Sequence, residues 1–211
     1  MRVRLHQKTL MFLDVETTGL DPDTHEIIEV AVVWDEHGMA LPRSVSHKVQ
    51  PEHIQNALPK ALEVNGYCKE DWTQAFTQEQ AALFLKNQLQ GCVIAGQRVG
   101  DFDLLFIKKL LTRFGYKVRF DRHVVDTTTL IYEHLVPCGL QSLSLNMACT
   151  FLGIEPETIH RAEGGARRAY LLYKRLSRAT WLHRFWWKLT QKRRLERCET
   201  LRKQLYPSSS S

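Results

Sequence analysis

Apolar and polar positions follow two periods along this chain, and the switches between them mark its elements. Residues 9–20, TLMFLDVETTGL, start as a short apolar run, end in two carboxylates one residue apart and pass at once into Thr-Thr-Gly. That pattern predicts a buried strand that delivers Asp14 and Glu16 to the rim of a sheet. Residues 26–34 are rich in β-branched side chains and residues 45–49 alternate before Pro51, so a second and a third strand follow as antiparallel neighbours of the first. A short helix is expected over 57–64, stopped by Asn65-Gly66, and a longer one over 77–89, with Ala81, Leu85 and Leu89 on one face and Gly91 after it. Residues 92–95 (CVIA) read as a buried strand, 103–114 as a helix carrying Leu104, Ile107 and Leu111 inward, and 123–126 as a fifth strand. Helices over 127–135, 142–152 and 161–178 complete the body. Three sequential strands followed by alternating helices and strands describe an α/β fold, a mixed five-stranded sheet flanked by helices.

The tail has a different pattern. In residues 181–206, Trp181, Leu182, Phe185, Trp186 and Leu189 fall within one helical arc of about 140°, with Arg184, Lys188 and Arg194 off it. This amphipathic helix is expected to lay its apolar arc on the body. Trp187, outside the arc, would then be exposed beside Lys192, Arg193 and Arg194, a set suited to phosphates and a stacked base. Charge agrees: residues 178–206 hold nine Lys and Arg against Glu196 and Glu199, a balance of +7 that leaves −1 for the rest of a +6 chain. The expected organisation is a body over 1–178, a basic helical extension over 179–207 and a disordered serine tail over 208–211.

Five cysteines, odd in number and without a C-x-x-C pair, argue for a reducing compartment and against a disulfide framework or a zinc site. The longest apolar run near the N-terminus, residues 10–13, is too short for a signal sequence, so the expected location is cytoplasmic.

Asp14 and Glu16 carry the first chemical signal. Side chains at i and i+2 of a strand share a face about 7 Å apart, and two carboxylates so placed repel unless a cation lies between them. Hard divalent ions take such oxygen ligands. A strand end with two solvated acids explains D-x-E equally well, and the rest of the chain has to separate the two.

The string DVETTGLDPDTHEIIEVA (14–31), with FDLLF at 102–106 and HRAEGGA at 160–166, resembles the DnaQ-like (DEDDh) 3′-to-5′ exonuclease family of the ribonuclease H-like fold. The resemblance runs from about residue 9 to 176. It implies Mg²⁺ or Mn²⁺, two per site, held by Asp14, Glu16 and Asp103, with Asp101 the alternative to Asp103. It also implies that Thr17, Thr18, Gly19 and Leu20 meet the 3′-terminal nucleotide and that His160 is the general base. Asp126 matches a family position too, but as a cap on the following helix.

The family pattern ends His-x-Ala-x-x-Asp-Ala, and here its aspartate position is Gly165. Glu163, about 200° away on a helix, should face elsewhere. The expected function is therefore a metal-dependent exonuclease that releases nucleoside monophosphates from DNA or RNA 3′ ends, impaired in this form. The alternative is a catalytically inactive module that binds nucleic acid or docks on a replication or repair partner. A free 3′ end is the expected ligand and a polymerase or other protein the candidate partner of the C-terminal helix. Trp beside Lys and Arg is also the signature of an interfacial membrane helix, but for an exonuclease-like body nucleic acid is the economical reading and a membrane is not expected.

Overall fold

The computed structural model describes residues 8–35, 42–120, 123–154 and 161–205. Its five strands are β1 (Leu10–Thr17), β2 (Ile27–Asp35), β3 (Arg43–Lys48), β4 (Val93–Gly96) and β5 (Val124–Asp126). They form one sheet in the order β3-β2-β1-β4-β5. β1 runs antiparallel to β2 and parallel to β4, so the sheet is mixed, as its pattern predicts. Its helices are α1 (Pro59–Asn65), α2 (Gln78–Leu89), α3 (Asp103–Arg113), α4 (Thr127–Leu135), α5 (Leu145–Leu152), α6 (Ala162–Leu176), α7 (Trp181–Leu189) and α8 (Gln191–Leu205).

Strand alternation divides β1 between two cores. Met11, Leu13 and Val15 enter the cluster formed with α2 and α3, which includes Leu85, Leu89, Ile107 and Leu111. Phe12 points the other way and packs under α6 against Ala162, Ala166, Ala169 and Tyr170. Small residues along that side of α6 allow it to lie close to the sheet. Asp14 and Glu16 have the parity of Phe12, so they emerge on the α6 face.

Local signals fix the helix ends. Thr77 and Gln80 form a reciprocal capping box at the start of α2. Asp126 accepts the Thr128 N–H at 2.8 Å, which makes it the cap of α4 as expected. Ser144 caps α5, so that helix starts later than the apolar pattern alone predicts.

The tail packs on the body, but with the opposite face. Trp187 is buried with Ile131, Leu135, Leu176 and Cys198 in a third cluster that joins α4, α5, α6 and α8. The arc of Trp181, Leu182, Phe185, Trp186 and Leu189, expected to face the body, is exposed instead. Amphipathicity gives the helix two unlike sides but does not say which of them finds a partner.

Candidate active site

Three acids reach the rim beside β1. Asp14 and Glu16 arrive by strand parity, and Asp103 arrives at the first residue of α3. β4 pairs with β1 only as far as Phe12, and beyond that point Asp103 takes over: its Oδ1 accepts the Val15 N–H at 2.8 Å. Asp103 is buried, whereas Asp101 is exposed and paired with Arg98 at 2.9 Å. Of the two candidates, Asp103 is the one the fold brings to Asp14 and Glu16.

Three further charged groups line this site without having been singled out in the sequence. Glu29 stands opposite Glu16 in the β1–β2 register, buried, and accepts from Arg161 Nε at 2.9 Å. Arg168, also buried, donates to the Gly164 carbonyl at 3.0 Å and to Asn146. A glutamate inside the β-branched run at 26–34 was the available signal for Glu29. The arginines gave less warning, since a basic residue on a helix usually faces solvent. A cleft of about 200 Å³ lies over Asp14 and Glu16, walled by Arg161, Gly165, Arg168 and Asn146.

Burial and mutual repulsion dominate the electrostatics. The Asp14 carboxyl is pushed well above the usual range by burial first and then by Asp103 and Glu16, with Arg168 opposing. Glu16 is raised to about 7 by burial and Glu29, against Arg161 and Arg168. Asp103 is raised to about 8 by burial, against the hydrogen bonds it accepts from the backbone. Carboxylates held in this state favour a cation among them, and an all-oxygen donor set suits a hard divalent ion. Among the described residues, one trio of acidic and His groups brings its ligand atoms within 4.8 Å of one another, and it is Glu26, Glu52 and His53 instead. Arg113 pairs with both glutamates there, and Glu26 accepts the N–H groups of Glu52 and His53 at 2.8 and 2.7 Å, so that trio ties β2 to α3.

Gly165 lies in the second turn of α6 with its Cα turned to the sheet. A Cβ built there would overlap the Asp14 carboxylate. α6 is regular through this turn, the Gly165 N–H bonding the Arg161 carbonyl at 3.0 Å. Glu163 points elsewhere, accepting from Ser44 Oγ at 3.1 Å. Glu163 is the one acid in α6, so this helix brings no carboxylate to Asp14.

The turn after β1 is tightly held. Thr17 Oγ1 donates to the Gly19 carbonyl at 2.6 Å, and Thr18 Oγ1 accepts the Glu26 N–H at 2.9 Å. Leu20 is exposed. The Gly19 Cα is covered by the His25 ring, where a Cβ would collide. Gly19 thus makes room for an imidazole of the same turn.

His160 lies outside the described residues. Of the tail residues assigned to nucleic acid, Lys192 and Arg193 are exposed. Arg194 is engaged internally, donating to the Phe151 carbonyl at 2.6 Å and to Thr190 Oγ1 at 2.7 Å. Trp187, expected to stack on a base, is buried and cannot do so.

A family model described as an exonuclease, RNase T, matches residues 11–173. The chain belongs to this exonuclease family. The DnaQ-like 3′-to-5′ exonuclease resemblance and the ribonuclease H-like fold thus hold. The PolC-type DNA polymerase III of Thermotoga maritima is 28% identical over 159 residues, which cover 75% of this chain and 11% of the relative. The ribonuclease T of Klebsiella pneumoniae is 35% identical over 75 residues, 34% of this chain and 35% of that protein. Escherichia coli exonuclease I in complex with a dT13 oligonucleotide superposes with a TM-score of 0.69 at 18% identity, over 90% of this chain and 46% of that one. The exonuclease-family chain thus spans about a tenth of its polymerase relatives. Members of the family depend on divalent metal. Among the described residues, no helix is long and apolar enough to cross a membrane.

Proposed function

We propose that the cleft over Asp14 is a 3′-end site for a nucleic-acid strand, built for two-metal exonuclease chemistry and impaired because its fourth acid is absent. The observation that carries this reading is the overlap of a Gly165 Cβ with Asp14: position 165 faces that carboxylate across the cleft it shares with Glu16, where an aspartate would add a further acid. Asp14, Glu16 and Asp103 would hold Mg²⁺ or Mn²⁺. When bound, these ions would supply charge neutralisation at the scissile phosphate and activation of water.

The chain's own groups have separate tasks. The turn at 17–20 receives the terminal nucleotide, with the exposed Leu20 against its base. Asp103 is kept in place by the Val15 N–H. Arg161 and Arg168 supply positive charge beside the acids and draw the strand's phosphate into the cleft. His160 accepts the proton of the attacking water. Residues 1–178 form the catalytic body and 179–207 the basic extension.

A second reading, an inactive strand-binding module, is favoured by the same two arginines. They place fixed cationic charge beside Asp14, where the family pattern has a further acid. Both readings require a free 3′ end. Fluorescence anisotropy with strands ending in a 3′-hydroxyl or a 3′-phosphate should show tighter binding of the hydroxyl strand. Equal affinity for the two would overturn the site.

A further inference from the structure

Helix α7 is held to the body by one side only. Trp187 anchors it, and the other side presents Trp181, Leu182, Phe185, Trp186 and Leu189, each 56–73% exposed. A continuous apolar ridge of this kind on a solvent-facing helix marks an interaction surface.

Charge identifies its occupant. Between Glu163 and Glu196 the sequence has no acidic residue and ten Lys and Arg. Lys188 borders the ridge next to Trp181, about 20° away on the helix. Lys192 and Arg193 follow in the first turn of α8. All three are exposed, and none forms an ion pair among the described residues. A second copy docked ridge to ridge would bring these cations together at a like-charge cost. A nucleic-acid strand calls for cations interleaved with rings along a groove, whereas here they border a convex ridge containing two leucines. An anionic lipid surface satisfies both features, accepting apolar side chains at its acyl boundary and pairing headgroup phosphates with the flanking cations.

We propose that α7 lies in the plane of an anionic lipid surface, with its ridge immersed and Lys188, Lys192 and Arg193 at the headgroups. The sequence favours nucleic acid over a membrane for this tail because the body resembles an exonuclease, and it expects the apolar arc on the body; the arc is exposed instead. This inference does not depend on the nuclease reading.

The test is cosedimentation of the full chain with vesicles of phosphatidylcholine alone or mixed with phosphatidylserine, at low and high salt. Binding should require phosphatidylserine, weaken with salt and protect tryptophan from acrylamide. The double substitution Phe185→Glu, Trp186→Glu should weaken it by at least about tenfold, while an unchanged thermal melt shows that the exposed sites leave the fold intact. Equal binding to both vesicle types, or by both proteins, overturns the proposal. So does binding through the ridge to polyglutamate or an oligonucleotide with none to vesicles, which assigns a protein or nucleic-acid partner. Dimerisation abolished by the double substitution, again without vesicle binding, assigns a second copy.

Discussion

The Cα of Gly165 faces the Asp14 carboxylate so closely that one added Cβ would overlap it. The two residues come from opposite sides of the same interface, α6 above and β1 below, and the small side chains that let α6 approach the sheet also bring position 165 to the acids. The carboxylate is the mobile end of its side chain and can turn aside, so an acid at 165 is sterically accessible. In this chain the balancing charge comes from Arg168 and Arg161.

Arg168 is the first place to test that balance. Its guanidinium is buried and hydrogen-bonded to Gly164, and it lowers the cost of ionising both Asp14 and Glu16. Arg168→Ala leaves the buried Gly164 carbonyl and Asn146 without their donor and removes the charge that opposes protonation of Asp14 and Glu16, and it should destabilise the protein by about 1–3 kcal/mol in urea denaturation at neutral pH. A change under about 0.5 kcal/mol would show that Arg168 does not stabilise the acids.

Asp103 combines a hydrogen bond with a charge, and two substitutions separate them. Asp103→Ala orphans the buried Val15 N–H and should cost about 1–3 kcal/mol. Asp103→Asn keeps an oxygen for that N–H and removes a repelling charge, so its stability in EDTA should equal or exceed that of the unchanged protein. Both should weaken Mn²⁺ binding measured by calorimetry. Undiminished Mn²⁺ binding in Asp103→Asn would remove Asp103 from the ligand set.

The raised acids predict a pH dependence. Glu16, at about 7 against an ordinary 4.5, and Asp103, at about 8 against 3.8, bind more protons folded than unfolded. Their contribution to stability is therefore fully present below about pH 4 and is lost as pH rises through about 8. In EDTA these groups should lower the melting temperature across that window, and Mn²⁺ should restore it most at the alkaline end. Denaturation of the unchanged chain and of a Glu16→Gln, Asp103→Asn chain isolates their share, with the double variant showing the shallower decline. Parallel curves for the two proteins would contradict the assignment.

The two neighbouring tryptophans of α7 should behave oppositely. Trp187→Ala empties a buried site in the cluster it shares with α4, α5, α6 and α8 and should cost about 3–5 kcal/mol. Trp186→Ala, on the exposed ridge, should change stability by less than about 0.5 kcal/mol. Similar losses from both would place the ridge against the body.

Legibility followed the physics of each feature. The five strands and most helices could be read because their patterns are local, and the parity of residues 12–16 placed both acids on one face. Asp103 could not be separated from Asp101 by sequence, because what distinguishes them is the open edge of β1 beyond Phe12, a fact of strand length and register. Glu29, Arg161 and Arg168 join the site only through the β1–β2 pairing and the close seating of α6. For α7 the wheel shows two unlike sides, but which of them is buried depends on the tertiary cluster that α4, α5, α6 and α8 assemble around Trp187.

An acid at position 165 would complete the proposed exonuclease site. The most direct test is Mn²⁺-dependent degradation of a 3′-labelled single strand by the unchanged chain and by Gly165→Asp. The site as described predicts a gain of orders of magnitude in the variant, over a slow or undetectable rate in the unchanged chain. Equal rates in the two proteins, whether negligible or fast, would contradict it.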